Sequence, residues 1–313
     1  MQERWGLGHG IQLGVPMPLK IRPRRSVLYM PGSNARALEK ARTLPADALI
    51  LDLEDAVAPD AKQAAREQVT AAVKAGGYGQ REIAIRVNAL STPWGMDDFK
   101  AAADAKPDAI LVPKVSSADE MQDIARALAQ AGADARTRIW IMIETAVSAF
   151  RLEQIASTAK DDKTRLSVFI LGTNDYAKET RAKITRGRAG LIPFLANAVA
   201  AARAYGIDVI DGVYNDISNI DGLKEEAAQA RDLGFDGKTI IHPTHIAPCN
   251  EAFSPDEEEV ANARKVVAAF DDPENAGKGV LQIDGRMYEI LHAEIAKRTV
   301  AVADAIKQRE AAQ

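Results

Sequence analysis

The chain has 313 residues, 47% of them hydrophobic, with 40 basic and 44 acidic side chains and a formal net charge of -4. That length and apolar content bury a substantial core as one large domain or a domain with an appendage, which argues against extended disorder. The charges are interspersed, so composition offers no basic nucleic-acid face, and no apolar run approaches the roughly 20 residues of a membrane span.

A single cysteine, Cys249, leaves no partner for an internal disulfide and no thiolate cluster for a metal, which fits a reducing compartment. The first 25 residues scatter Gly, Pro and Arg without a continuous apolar core. This predicts a loosely structured arm over residues 1–24 rather than a secretory signal, in a cytoplasmic protein.

Eight short apolar runs follow: Ser26–Met30, Ala48–Asp52, Ile83–Asn88, Ala109–Pro113, Ile139–Glu144, Ser167–Leu171, Asp208–Asp211 and Thr239–His242. Helical patterns separate them, among them Ala35–Arg42, Ala61–Ala75, Ser117–Ala131, Ala149–Thr158, Ile192–Tyr205 and Gly222–Leu233. Such alternation is that of a parallel sheet covered by helices, and its number and length predict a (β/α)₈ TIM barrel over residues 25–270. A doubly wound open sheet is the alternative. The remaining residues, 271–313, begin with a linker-like stretch from Asp271 to Gly279 and end in a helix around Met287–Lys307, a C-terminal extension suited to packing on a neighbouring subunit.

Polar residues decide between the two architectures. Asp52, Glu54, Asp55, Arg86, Asn88, Lys114, Glu144, Asp175, Asp211 and His242 all fall at or just after predicted strand ends. A barrel converges those ends on one face, whereas an open sheet spreads them along an edge.

Glu144 and Asp175 each stand where a buried run ends, as two hard oxygen ligands that could share one Mg²⁺, or as helix N-caps. Asp52, Glu54 and Asp55 crowd three carboxylates into four positions, which calls for a cation or base nearby, although a helix N-terminus also favours acids. Arg86 ends a strand with a planar fork able to grip a carboxylate or to pair with that acid cluster. Lys114 fits a charge partner for the acids better than a Schiff-base lysine. Arg24, Arg25, Ser33 and Asn34 frame a strand-turn-helix whose start could receive a phosphate. In Ile241-His242-Pro243-Thr244-His245 the proline opposes a shared helical face, so the histidines are expected to be structural or cofactor-contacting rather than a metal pair.

Taken together, Ser26–Asn34, Asp52–Val57, Arg86–Asn88, Pro113–Lys114, Glu144, Gly172–Asp175, Asp211–Gly212, Phe235–Pro243 and Asp284–Glu289 resemble the citrate lyase beta subunit and malyl-CoA lyase family of the HpcH/HpaI aldolase superfamily. The resemblance implies a (β/α)₈ barrel that is a homotrimer or homohexamer, with Mg²⁺ on Glu144 and Asp175 and with Arg86 gripping a 2-oxoacid. It also implies CoA along the barrel mouth near Arg24–Asn34 and Asp211–Tyr214, and a C-terminal segment reaching over a neighbour's site. The expected partners are thus a CoA thioester and a 2-oxoacid, with no nucleic acid and no membrane.

The implied reaction is reversible cleavage of a 3-hydroxyacyl-CoA such as malyl-CoA, methylmalyl-CoA or citramalyl-CoA into an acyl-CoA and a 2-oxoacid. Glu54 and Asp55 are the candidates for the hydroxyl base, and Glu289 from a neighbouring chain for the group that protonates the departing enolate. Malyl-CoA lyase-like members often carry Asp where Glu289 stands, and the longer side chain argues against thioester hydrolysis. The alternatives are a class II aldolase acting on free 2-oxoacids, a citrate lyase beta subunit working with an acyl carrier, and a CoA-binding regulatory protein on a retired barrel. The intact set Arg86, Glu144 and Asp175 argues against the last.

Overall fold

The computed structural model describes residues 21–311, so most of the expected arm lies outside the described residues. Eight parallel strands close in chain order: β1 (Ser26–Pro31), β2 (Ala48–Asp52), β3 (Glu82–Arg86), β4 (Ala109–Val112), β5 (Arg138–Ile143), β6 (Leu166–Leu171), β7 (Asp208–Asp211) and β8 (Gly237–Ile240). β8 pairs back onto β1, with Ser26 opposite Lys238 and Leu28 opposite Ile240. The TIM barrel is observed and the open sheet is not.

Among the described residues, ten helices decorate the barrel: α1 (Ala35–Ala41), α2 (Lys62–Ala75), α3 (Gly95–Ala105), α4 (Ala118–Gln130), α5 (Ala146–Phe150), α6 (Leu152–Ser157), α7 (Thr173–Thr180), α8 (Ile192–Ala204), α9 (Ile220–Leu233) and α10 (Ile246–Ala252). The pattern over Ala149–Thr158 breaks into α5 and α6 at Arg151, because a Thr145/Ser148 capping box starts the chain turning earlier. Among the described residues, no helix is long and apolar enough to cross a membrane.

Side-chain alternation along each strand sorts the core into two layers. Val27, Ala48, Ile50, Ala84, Leu111, Trp140, Met142, Val168, Ile170 and Ile210 form one cluster and fill the barrel interior. Their neighbours, such as Leu28, Leu49, Leu51, Ile85, Ile110, Ile139, Ile141, Phe169 and Val209, belong to the second cluster with the helices. Each strand therefore delivers one set of side chains to the lumen and the other to the helix layer.

The C-terminal part holds α11 (Glu257–Asp271), β9 (Val280–Ile283), β10 (Arg286–Glu289) and α12 (Ile290–Glu310). The hairpin replaces the start of the helix expected at Met287, since Asp284 and Gly285 both take positive φ (49° and 80°), as a tight Asp-Gly turn between two strands requires. Ala263 and Val266 of α11 pack with Ala293 and Ala296 of α12 in a satellite core. α11, which the expected division places before residue 271, thus shares its core with α12. The far end of α12 returns to the N-terminal face of the barrel, where Arg309 donates to the carbonyls of Ala46, Asp47 and Gln80.

Candidate active site

The lumen-facing set of three strands turns polar at its last member. On β2 the series Ala48, Ile50 ends in Asp52; on β3 Ala84 is followed by Arg86; on β5 Trp140, Met142 are followed by Glu144 one residue past the strand. Alternation alone thus aims these side chains at the mouth.

Arg86 is buried and pairs bidentately with Asp52, Nε to Oδ1 at 2.6 Å and Nη2 to Oδ2 at 2.7 Å, with its guanidinium 4.8 Å from the Tyr29 ring centre. The remaining Nη1 lies 2.9 Å from Glu54 Oε2. Burial opposes the charge on Asp52, but Arg86 and the amides of Glu54 and Ala56 overcome it and hold the carboxyl below its usual pKa. The pairing of Arg86 with the acid cluster is therefore real, and it leaves one edge of the guanidinium toward Glu54.

Glu54 is held between two cations. Its Oε1 accepts from Lys114 Nζ at 2.6 Å, and its Oε2 is buried beside Arg86 without an aligned donor. Lys114 plays the charge-partner role expected of it, and its backbone N–H also donates to Glu144 Oε1 at 2.8 Å. Burial, reinforced by Asp55, keeps Glu54 above the usual carboxylate pKa despite both cations.

Neither Glu144 nor Asp175 is an N-cap. Thr145 caps α5, and Asp175 is the third residue of α7. Glu144 is buried, with burial, Glu54 and Asp175 pushing its pKa up to about 8. Gly172 makes room for it, because a Cβ there would collide with the Glu144 side chain. Among the described residues, Asp52, Glu54, Asp55, Glu144 and Asp175 thus outnumber the nearby cations Arg86, Lys114 and Lys62, an excess of negative charge that a divalent cation would relieve. Among the described residues, no three His, Cys, Asp or Glu side chains form a complete metal cage. Two carboxylates plus water or substrate oxygens is a donor set suited to Mg²⁺.

Three expected ligand-contacting residues lie elsewhere. Arg24 and Arg25 precede β1 and sit on the N-terminal face: Arg24 pairs with Glu82 and Asp208, and Arg25 with Asp47, all at strand starts. They cannot line the mouth, because a strand separates them from it. Asp211 shares the outward parity of Val209 and is fully buried, bound to Arg188 at 2.8 Å and Lys238 at 2.7 Å. It braces the barrel against the helix layer.

Ser33 and Asn34 do follow the C-terminal end of β1, where Asn34 caps α1 by accepting from the Ala37 amide. Tyr214 lines a cavity of about 660 Å³ between residues 184–187 and the loop after β7. Asp216, Asp221, Glu225 and Glu226 share that cavity with Arg186, itself paired to Glu225, so its charge is acidic. Asp55 is exposed at the mouth, 3.7 Å from Arg86. Glu289 is exposed on the C-terminal hairpin, where it caps α12 with His292. His242 accepts from the Thr244 amide, and His245 is buried.

Two supporting residues escaped the sequence. Lys62 reaches back from α2 to donate to the carbonyls of Leu53 and Glu54, fixing the acidic turn, and lies over Trp94. Asp98 on α3 receives the Asn88 side chain. Each lies on a helix next to its target only after folding, and neither has a local signature.

Residues 25–243 match the HpcH/HpaI aldolase/citrate lyase family. A Cereibacter sphaeroides protein named (3S)-malyl-CoA thioesterase is 44% identical over 284 residues, spanning 91% of this chain and 96% of that protein. The Escherichia coli citrate lyase subunit beta is 34% identical over 275 residues, spanning 86% and 90%. Among solved structures, the CitE protein of Mycobacterium tuberculosis in complex with magnesium, acetoacetate and coenzyme A aligns with a TM-score of 0.69 and 27% identity, over 90% of this chain and 99% of that one. Fold, mouth geometry and these relatives agree that the chain belongs to the HpcH/HpaI aldolase/citrate lyase family, a family of carbon-carbon lyases.

Proposed function

We propose that the chain is a Mg²⁺-dependent lyase that cleaves a 3-hydroxyacyl-CoA of malyl, methylmalyl or citramalyl type into an acyl-CoA and a 2-oxoacid. The observation that carries this reading is the anionic mouth, where Glu144 and Asp175 stand beside Arg86 with too little positive charge to balance them. Bound there, Mg²⁺ supplies Lewis acidity toward the oxygens of the 2-oxoacid fragment.

The chain's own groups do the rest. Arg86, clamped by Asp52, presents Nη1 to the developing negative oxygen and the substrate carboxylate. Glu54, between Arg86 and Lys114, takes the hydroxyl proton, with Asp55 the second candidate at the open rim. The carbon-carbon bond then breaks, its electron pair stays on the acyl-CoA carbon, and a proton must be delivered there. Glu289 is the donor in this reading. α12 docks on the N-terminal face through Arg298 and Arg309, so a Glu289 that reaches a mouth reaches that of a neighbouring chain in a trimer or hexamer. Exposed Met287, Ile290, Leu291 and Ile295 beside it suit burial against such a neighbour. Ser33, Asn34 and Tyr214 remain the rim positions for CoA, with Tyr214 facing its uncharged portion because its cavity is acidic.

The second reading is hydrolysis of the malyl-CoA thioester, favoured by the 44% identical relative named a thioesterase despite the expectation drawn from Glu289. A product assay with Mg²⁺ separates the two. Malyl-CoA giving acetyl-CoA and glyoxylate supports the lyase, and malate with free CoA supports the thioesterase. Turnover only of free hydroxyacids, or only with an acyl-carrier protein added, overturns both.

A further inference from the structure

We infer that Lys114 is the positioning residue of the site, holding Glu144 by its backbone and Glu54 by its side chain as two separable functions; this rests on the proposed Mg²⁺ site. β4 ends at Val112, Pro113 follows, and Lys114 then takes φ of 58°, a left-handed conformation that residues other than glycine adopt rarely. That turn points its N–H at Glu144 Oε1 (2.8 Å) while the side chain runs to Glu54 Oε1 (2.6 Å). One unusual residue therefore sets the spacing between the metal-side carboxylate and the acid beside Arg86.

Nothing else described does both. Glu54's other oxygen sits near Arg86 without an aligned donor, so Lys114 supplies its one aligned side-chain hydrogen bond. Glu144 is buried and takes the Lys114 amide as its hydrogen-bond donor, which fixes one oxygen and leaves the other for a ligand. The ammonium, with 44% of its side chain accessible, can be approached from solvent.

Glycine favours positive φ and keeps the amide where it is, whereas a β-branched residue resists it. Lys114→Gly and Lys114→Val both lose the ammonium, but only the valine variant is expected to lose the amide's aim. Mn²⁺ affinity of the full-length protein, read by electron paramagnetic resonance without substrate, is expected to be unchanged or tighter in Lys114→Gly and at least tenfold weaker in Lys114→Val. With malyl-CoA, Lys114→Gly is expected to lose roughly 10²-fold in kcat through misplacement of Glu54, and to recover part of it with added butylammonium.

Equal Mn²⁺ affinities in the two variants overturn the backbone function. A kcat in Lys114→Gly equal to wild type, or one that no amine restores, overturns the side-chain function. Wild-type protein that binds no Mn²⁺ overturns the proposed metal site itself, and this inference with it.

Discussion

Two charge clusters sit one strand layer apart and behave oppositely. Outside β7 and β8, Asp211 and Glu226 meet Arg188 and Lys238 in an even balance of two acids and two bases, and Lys238 has no exposure. At the mouth, five acids meet three bases, Arg86, Lys114 and Lys62. Burial opposes the charge of Asp211, but Lys238 and Arg188 overcome it and hold its carboxyl below the normal range, whereas Glu144 is pushed up to about 8. A balanced cluster works as a strut; an unbalanced one is poised to take a cation and a substrate.

Exchanging a single residue in each cluster should break this contrast most visibly. Glu144→Gln removes a buried carboxyl from an anionic site, so Mg²⁺-dependent turnover should vanish while the metal-free protein gains on the order of 1–3 kcal/mol at pH 7. Activity assays paired with thermal melts in EDTA test this, and a variant that is active or less stable ends the site assignment. Asp211→Asn should do the reverse, leaving two buried cations underpaired and costing about 3–5 kcal/mol while Mn²⁺ affinity stays near wild type. Denaturant unfolding alongside metal titration would show whether the two effects separate.

Protons should distinguish the clusters more gently. In metal-free protein the Glu144 carboxyl keeps its proton up to about pH 8 in the folded state and loses it near 4.5 when unfolded. Folding stability from this group is therefore full below about 4.5 and falls as pH rises toward 8, and saturating Mg²⁺ should flatten the decline. Asp211 has the opposite sign: its contribution is present above the unfolded value of 3.8 and is lost as pH falls through its depressed folded value. Melting temperature against pH, with and without Mg²⁺ and in Glu144→Gln, tests both signs.

The smallest effect is at Cys249, buried on α10 near the strut, where burial pushes the thiol up to about 12. It should resist a thiol reagent in the native wild type and react measurably faster in Asp211→Asn. An equally rapid reaction in both would mean that the strut does not hold α10 closed.

Much of this was legible in the chain. Runs such as Ala48–Asp52 and Asp208–Asp211 fall on the observed strands without change, because a buried parallel strand must be apolar along its whole length. Asp52, Arg86 and Glu144 were legible as a mouth because a charge that ends a buried run has few places to go. Arg24, Arg25 and Asp211 misled for a related reason. They too flank apolar runs, but nearness in sequence to a strand does not say at which end, or on which side of the sheet, a side chain emerges.

The sequence by itself determined the barrel, its family and the acids of its mouth, since apolar periodicity and strand-end chemistry are local properties. Only the tertiary structure decided which charges share a space. Closure of β8 on β1 and the alternation within each strand sent Asp52 and Glu144 into the lumen and Asp211 to the helices. The left-handed turn at Lys114 then fixed how Glu54 and Glu144 are spaced, because hydrogen bonds between residues 30 and 60 positions apart exist only once the chain has closed.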